Sequence, residues 1–84
     1  MNVVIHTTRN KIYDDEAQEV VLPGADGEFT VMDFHQPCLY SLRAGQITVL
    51  KRPSHGGVNK VKFPIRRGVA SVIGNRVSIV IENL

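Results

Sequence analysis

The sequence lacks paired cysteines and long apolar runs, and both absences narrow the kind of protein it encodes. Cys38 is the only cysteine among 84 residues, so no internal disulfide can form and a secreted disulfide scaffold is not indicated. No stretch approaches the roughly 18 uninterrupted apolar residues of a membrane span, and the amino terminus does not resemble a signal peptide. We therefore expect a soluble, cytosolic protein in which Cys38 is a reduced, buried thiol.

Aromatic residues are scarce, and the net charge is small. The chain has three Phe, two Tyr and no Trp, and its formal net charge is +2. Seven of the eight acidic residues lie before residue 34, whereas seven of the ten basic residues lie after residue 50. This asymmetry fits either two partner surfaces of opposite sign or two solvated faces, and it does not distinguish between them. A domain of this length buries roughly 60–65% of its unfolded surface, so we expect only marginal stability.

No helical periodicity is sustained anywhere, whereas apolar and polar residues alternate along several short segments. The alternation is clearest at residues 59–66, where Val61, Phe63 and Ile65 share one face. Pro64 has no backbone N–H for a neighbouring strand, which predicts an edge strand or a bulge. The same alternation directs the apolar residues of segment 76–82 inward.

Turn signals separate these segments. Gly74-Asn75 and Ala44-Gly45 predict two-residue hairpins, and residues 9–16 are expected to connect the first two strands. We count about eight strands: one that follows Gly27, and others at residues 3–5, 17–22, 39–43, 46–51, 59–66, 72–73 and 76–82. Short strands at such regular spacing predict an all-β fold, a small sandwich or barrel, in one domain over residues 1–84.

Candidate chemical sites are weak. His35 and Cys38 have the spacing of metal ligands, but zinc requires three or four ligands, and His6 and His55 are distant in sequence. Cys38 opens an apolar strand, so we expect it in the core and not as a nucleophile. The acidic run 14–16 falls at a predicted turn, where such carboxylates are ordinarily solvated. No metal site, no cofactor and no enzyme activity are expected.

The basic second half of the chain suggests nucleic-acid binding as an alternative. Small β-barrels with basic strands and exposed aromatic rings bind single-stranded nucleic acid through charge and stacking. Phe63, however, alternates with lysines and is therefore expected to face the core. Tyr40 is the other ring predicted in this neighbourhood, and the basic residues concerned are Lys51, Arg52, Lys60, Lys62 and Arg66.

Residues 20–37 form the most heavily specified segment, and they read VVLPGADGEFTVMDFHQP. This segment resembles the signature of the ε subunit of F-type ATP synthases, in its amino-terminal β-sandwich domain, which typically reads L-P-G-x-x-G-E-F-G-V-L-P-G-H-x-P. Nine positions match without a gap: Leu22, Pro23, Gly24, Gly27, Glu28, Phe29, Val31, His35 and Pro37. The similarity extends along nearly the whole chain, through Leu42, Gly45, Gly68, Val72, Asn75 and Val77. The chain departs from the pattern at Thr30, Asp33, Phe34 and Arg66-Arg67.

The resemblance implies a small flattened β-sandwich of short, mostly antiparallel strands. It also implies a non-catalytic central-stalk subunit that links the γ subunit to the c-ring in proton- or sodium-coupled ATP synthesis. The c-ring-facing loop would comprise Gly24, Gly27, Glu28, Asp33 and His35. The γ contact would comprise Pro37, Tyr40 and Leu42.

Location and partners follow from the same resemblance. The protein would lie at the cytoplasmic face of the plasma membrane, attached only through the complex, and would bind no nucleic acid. Similar proteins usually continue into a carboxy-terminal helical hairpin that senses ATP, and these 84 residues contain no such hairpin, so inhibition through it is not expected. A basic barrel that binds nucleic acid and a free-standing β-sandwich adaptor remain the alternatives.

Overall fold

In this computed structural model, residues 1–33 and 36–82 are described, and they form β-strands without a helix. The nine strands are β1 (Asn2–His6), β2 (Lys11–Glu16), β3 (Glu19–Gly24), β4 (Gly27–Met32), β5 (Cys38–Leu42), β6 (Gly45–Lys51), β7 (Asn59–Ile65), β8 (Arg67–Ile73) and β9 (Arg76–Glu82). Within these described ranges, no helix is long and apolar enough to cross a membrane. The prediction of an all-β fold is confirmed.

The strands form two layers that share one continuous hydrogen-bonded path. One layer has the order β2-β1-β9-β8-β5, and the other has the order β4-β3-β6-β7. The layers join where Gly24 of β3 pairs with Leu42 of β5. β1 runs parallel to β9, and the other strand pairs of the described chain are antiparallel. A small β-sandwich of mostly antiparallel strands is therefore what the sequence predicted.

The core lies between the two layers and is built by strand alternation. On β9, Val77 and Ile79 are fully buried and Ile81 is nearly so, whereas the intervening Val80 points outward. Successive side chains of a strand point to opposite faces, so one face of each strand enters the core. Each fully buried aliphatic side chain contributes about 1.5–3 kcal/mol relative to exposure. The other layer contributes mainly Val20, Leu22, Val31, Ile47, Val49 and Ile65.

Strand β2 was missed by the sequence analysis, which expected a connection at residues 9–16. The segment instead pairs antiparallel with β1 along its whole length. Tyr13 lies on its inner side and meets the ring of Phe63 edge-on, with ring centroids 5.2 Å apart. Lys51 Nζ of β6 donates to Asp15 Oδ2 at 2.6 Å. The acidic run hid the strand because these carboxylates lie at a layer edge, where Asp15 reaches a cation of the other layer.

The two predicted hairpins had different outcomes. Gly74-Asn75 joins β8 to β9, and Gly74 adopts a φ of 59°, which confirms that prediction. The Ala44-Gly45 prediction was wrong, because β5 pairs with β8 and β3, whereas β6 pairs with β3 and β7. Gly45 is needed for a different reason: a Cβ there would lie 2.8 Å from Pro23 Cβ. Pro64 lies on β7, an edge strand as predicted.

Replacing Gly68 with alanine is expected to destabilise the fold. A Cβ at this position would lie 2.5 Å from the carbonyl oxygen of Val80, which belongs to the backbone of the paired strand. Because the backbone must shift to admit it, we expect Gly68→Ala to cost about 1–3 kcal/mol of unfolding free energy. Urea denaturation followed by circular dichroism measures this loss.

The matched control is Ser71→Ala, three residues further along β8, where the side chain is half-buried on the outer side of the strand. This change removes a hydroxyl without crowding a neighbour, so it is expected to alter stability by less than about 0.5 kcal/mol. Equal denaturation midpoints for the two variants would contradict the prediction, because they would mean that the β8–β9 pairing admits a Cβ at residue 68 without loss of stability.

Candidate functional site

The β3–β4 hairpin carries the signature segment and ends in a two-residue turn. Gly24 pairs with Gly27, and Ala25 and Asp26 form the tip. Gly27 has a φ of 136°, a backbone conformation that favours glycine. At Gly24, a Cβ would lie 2.6 Å from the Gly27 carbonyl oxygen and 2.7 Å from Phe29 Cε1. Gly27 is thus required by the conformation of the turn, and Gly24 is required by the close approach of its neighbours.

An open groove of about 590 Å³ separates this hairpin tip from strand β5. Its lining includes the rings of Phe29 and Tyr40, whose centroids are 4.0 Å apart at an interplanar angle of 42°. Asp26, Glu28 and Leu39 also line the groove. A hydrogen bond with the Cys38 side chain, together with burial, raises the pKa of Tyr40. We call this cavity the tip groove, and it combines aromatic walls with two carboxylates.

The carboxylates at the tip differ from the other acids in having no side-chain partner among the described residues. Asp26 and Glu28 make no ion pair or hydrogen bond with the residues that the structure describes. The remaining six acids are each ion-paired: Asp14 with Lys11, Asp15 with Lys51, Glu19 with Arg52, Glu82 with Arg67, and Glu16 and Asp33 with the Met1 amine. Unsatisfied negative charge is therefore concentrated at the tip.

The paired acids show the electrostatic effect of their partners. A hydrogen bond from Lys51 lowers the pKa of Asp15, and one from Arg67 lowers that of Glu82. At Asp14 the largest contribution to its lowered pKa is a hydrogen bond from Asn2, followed by one from Lys11. All of these groups are solvent-exposed, where ion pairs contribute little to stability. Asp14 and Asp15 are therefore accounted for by ion pairs and not by a chemical site.

A second, more basic cleft of about 440 Å³ lies on the other side of Glu28. It is lined by Arg43 and Lys62 in addition to Glu28, and Arg43 donates its backbone N–H to the Pro23 carbonyl oxygen at 2.9 Å. Glu28 thus stands on a ridge between an aromatic groove and a basic cleft. Neither cation makes an ion pair with Glu28 within 4.0 Å.

The structure separates the residues that were expected to form one c-ring-facing loop. Gly24, Gly27 and Glu28 lie together at the hairpin tip. Asp33 follows the opposite end of β4, roughly 17 Å from Glu28 if the strand rises about 3.4 Å per residue. Its Oδ1 accepts a 2.9 Å hydrogen bond from the Met1 amine. His35 lies outside the described residues. Asp33 therefore has a structural partner of its own.

The expected γ contact is also redistributed. Leu42 is only 4% exposed and belongs to the core, so its side chain offers almost no surface to a partner. Tyr40 is half-buried and faces the tip groove, whereas Pro37 is exposed. Tyr40 and Leu42 are buried to different extents but lie on the same, inner face of β5, because alternate residues of a strand point to the same side.

An apolar surface that was not predicted from the sequence lies on the outside of β5, β8 and β9. It comprises Leu39, Val69, Ile73 and Val80, which are 72%, 45%, 68% and 49% exposed. Val69 pairs directly with Val80, and Leu39 pairs with the neighbouring Ser71. We call these four side chains the outer apolar face. The sequence does show these apolar residues at strand positions that alternate with the core positions. They form one surface only once the pairing of the three strands is known.

The aromatic rings near the basic strands are occupied by packing. Phe63 packs against Tyr13 and Tyr40 packs against Phe29, so each of these rings already spends part of its surface on an intrachain contact. Lys60 and Lys62 are exposed on β7. Among residues 1–33 and 36–82, no group of three or more His, Cys, Asp or Glu side chains is placed to hold a metal ion.

Comparison with known proteins agrees with this architecture. The family model described as "ATP synthase, Delta/Epsilon chain, beta-sandwich domain" matches residues 1–84. An ATP synthase epsilon chain of Rickettsia bellii is 35% identical over 82 residues, which cover 98% of this chain and 74% of that one. An epsilon chain of Gloeothece citriformis is 32% identical, with 98% and 56% covered.

Solved structures share the fold at lower identity. A chain in the Euglena gracilis mitochondrial ATP synthase structure of OSCP, F1 and c-ring superposes with a TM-score of 0.82 at 20% identity, covering 94% of this chain and 48% of that chain. A chain in the Tetrahymena thermophila central stalk and c-ring structure gives 0.76 at 12% identity, covering 98% and 63%. With the whole described sandwich and the full-length family match in agreement, the chain belongs to the β-sandwich domain family of ATP synthase delta and epsilon chains.

Proposed function

We propose that this chain is a non-catalytic central-stalk subunit that links the γ subunit to the c-ring of a rotary ATP synthase. In that role it transmits rotation driven by protons or sodium ions, and it lies at the cytoplasmic face of the plasma membrane through the complex alone. The observation that carries the proposal is the position of Asp26 and Glu28. These acids, which are without intrachain partners in the described structure, lie on the hairpin that bears the family signature.

The c-ring contact is assigned to the hairpin tip. Gly24 and Gly27 shape the turn, and Glu28 provides a charge for a basic group on the ring. A charge pair at the rim of an interface fixes register and partner choice more than it adds affinity. Asp33 accepts a hydrogen bond from the Met1 amine, and we leave it out of the proposed contact for that reason.

The γ contact is assigned to the outer apolar face and the adjacent Pro37. Contiguous exposed apolar side chains are typical of protein interaction sites, and a buried apolar centre supplies most of an interface's energy. Leu39 and Ile73, which are the most exposed members, are the expected anchors. Leu39 borders both this surface and the tip groove, whereas Val69, Ile73 and Val80 do not line the groove and extend away from it.

A stalk subunit must also resist deformation under torque. The buried residues of both layers form one hydrophobic cluster, and such close-packed interiors have low compressibility. The Tyr13–Phe63 contact and the Lys51–Asp15 bond tie the open edges of the two layers together. Stiffness and two separate contact surfaces are the properties that a coupling element requires.

Co-expression with the γ subunit and the c-ring from the same organism tests this function. We expect the chain to co-purify with γ alone and to join a γ–c-ring complex. Absence of γ binding, combined with salt-sensitive binding to single-stranded RNA, would reject the stalk function in favour of nucleic-acid binding. Binding to neither γ nor RNA would favour the free-standing adaptor.

Charge reversal at Glu28 is expected to uncouple rotation from ATP turnover without unfolding the protein. In Glu28→Lys, attraction to a basic c-ring group becomes repulsion, and we expect c-ring affinity to fall about tenfold, or ~1.4 kcal/mol. Ion pumping per ATP hydrolysed, measured in vesicles containing the reconstituted complex, should fall as well.

Thr30→Lys is the control for this variant, because it adds positive charge on the same strand, further from the tip. We expect its coupling ratio to match that of the unmodified protein. An unchanged ratio in Glu28→Lys would remove Glu28 from the contact.

A further inference from the structure

We propose that the basic cleft beside Glu28 is a binding site for a phosphate group, carried by free inorganic phosphate or by a lipid headgroup. The cleft has a volume of about 440 Å³, and the residues assigned to the ligand are Arg43, Gln46, Thr48 and Lys62. The inference goes beyond the proposed stalk function, because the site is built within this chain and needs no partner subunit.

Strand pairing brings three polar side chains of the cleft onto one face of the sheet. Gln46 and Thr48 are two residues apart on β6, so their side chains point to the same side. Lys62 of β7 pairs directly with Thr48, which places its side chain on that side as well. Directly opposed side chains start about 5 Å apart and diagonal ones about 7–8 Å apart, so an amide, a hydroxyl and an ammonium group can reach one ligand.

Arg43 supplies the fourth group, from the connection between β5 and β6. Its backbone N–H donates to the Pro23 carbonyl oxygen at 2.9 Å, which fixes this connection against β3. The start of β6 is equally tight, because a Cβ on Gly45 would lie 2.8 Å from Pro23 Cβ. The backbone around the cleft is therefore in place before a ligand arrives, and mainly the long side chains must become ordered on binding.

The two cations of the cleft have no intrachain partners. Within residues 1–33 and 36–82, neither Arg43 nor Lys62 makes an ion pair or a side-chain hydrogen bond. Four other basic residues are ion-paired within the chain: Lys11, Lys51, Arg52 and Arg67. Among the described residues that line the cleft, Glu28 is the single carboxylate, so two positive charges oppose one negative charge and an anion is favoured.

The number and kind of donors fit a phosphate better than a carboxylate. A phosphate monoester has three strong acceptor oxygens and carries nearly two negative charges at neutral pH, whereas a carboxylate has two oxygens and one charge. The planar guanidinium of Arg43 can donate two parallel hydrogen bonds to a phosphate, and the ammonium of Lys62 adds a point charge. The neutral donors of Gln46 and Thr48 can then bond the remaining oxygens.

Nuclear magnetic resonance titration of the full chain with sodium phosphate tests the inference. Sodium chloride is adjusted to hold the ionic strength at about 0.15 M, so that general screening of charge stays constant. We expect chemical-shift changes confined to residues 43–48 and 61–63, and a dissociation constant of about 1–10 mM, since a small ligand in an open cleft gains little binding energy. Sodium acetate should bind about tenfold more weakly because of its single charge.

Variants locate the binding groups. Arg43→Gln and Lys62→Gln should each weaken phosphate binding about fivefold, the upper range for an exposed charge pair, and Glu28→Gln should strengthen it about twofold. The matched control is Lys60→Gln, which removes a cation from the same side of β7 outside the cleft. We expect this control to change the dissociation constant by less than about twofold.

The outcomes that would overturn the inference concern specificity. Equal losses in Arg43→Gln and Lys60→Gln, or equal binding of phosphate and acetate, would show a general attraction of anions to a basic surface. Chemical-shift changes outside the cleft would have the same meaning.

Vesicle sedimentation distinguishes the two sources of the phosphate group. If lipid headgroups are ligands, the chain sediments with vesicles of phosphatidylglycerol and phosphatidylcholine but not with phosphatidylcholine alone, and Arg43→Gln loses this binding while Lys60→Gln retains it. Phosphate binding in solution without sedimentation assigns the site to free phosphate. Absence of both would overturn the inference, and co-purification with γ and the c-ring would then still support the stalk function.

Discussion

A variant carrying Leu39→Glu and Ile73→Glu is expected to lose co-purification with the γ subunit and to remain folded. Both side chains point to solvent in the isolated chain, so their replacement leaves the core intact. In a complex, each new carboxylate would be taken out of water without a partner, at a cost of several kcal/mol. We expect affinity for γ to fall more than 100-fold, measured by pull-down and by calorimetry, since every 1.4 kcal/mol is tenfold.

The control for this variant is a second pair of exposed apolar residues converted in the same way. Ile12 on β2 and Met32 on β4 are 41% and 52% exposed, and neither belongs to the outer apolar face. Ile12→Glu with Met32→Glu adds the same charge and should leave γ binding unchanged. Loss of binding in both pairs would indicate a nonspecific charge effect, and retention in both would move the γ contact elsewhere.

Ile79→Ala is expected to unfold a large fraction of the isolated protein. Ile79 is fully buried at the centre of β9, between its pairing partners Ile5 and Ala70. Truncation of a buried isoleucine costs about 2–5 kcal/mol, because apolar contacts are lost and a cavity remains. A single core of this size rarely supplies more than about 3–5 kcal/mol, so the variant would retain little or no stability. Urea unfolding monitored by circular dichroism measures the effect.

Val80→Ala, one residue further along the same strand, is the matched control. Val80 is 49% exposed, so we expect a change within about 0.5 kcal/mol. If γ is the partner, as proposed, it binds the folded state, and an excess of γ should restore structure to Ile79→Ala by mass action. Similar midpoints for the two variants would contradict the assignment of β9 as the central strand of the core.

In the proposed stalk function, the arrangement of the two proposed contact surfaces determines how load would pass through the domain. The outer apolar face lies on strands of one layer, while the hairpin tip belongs to the other, and the layers join at the Gly24–Leu42 pairing. Load applied at the tip would therefore enter the layer of the proposed γ contact next to this junction. Gly24 serves three needs there: the hairpin, the interlayer pairing and the packing of Phe29.

Several elements were predictable because their signals are local. The alternation in β9 placed Val77, Ile79 and Ile81 inward, and Gly74-Asn75 marked the preceding hairpin. Pro64 identified β7 as an edge strand for a reason that concerns one residue, its missing N–H. The signature glycines at the tip were likewise evident from the sequence, since a turn and a close approach both select for glycine.

Other features depended on contacts between residues far apart in the chain. Strand β2 was not predicted because the position of the acidic Asp15 in a strand depends on its bond with Lys51, which is 36 residues away in the sequence. The predicted β5–β6 hairpin does not form because β5 pairs with β8 and β6 pairs with β7. The phase of β5 put Leu42 in the core, and that phase should have excluded it as a surface anchor.

The amino-acid order alone was sufficient for strand phase, tight turns and the family signature, because each arises from a few neighbouring residues. Pairing across the sandwich was needed to align Leu39, Val69, Ile73 and Val80 into one surface and to set Asp26 and Glu28 beside Tyr40. It also showed that Asp33 and Glu28 lie at opposite ends of one strand, since charge partners and surface neighbours are chosen in space and not along the chain.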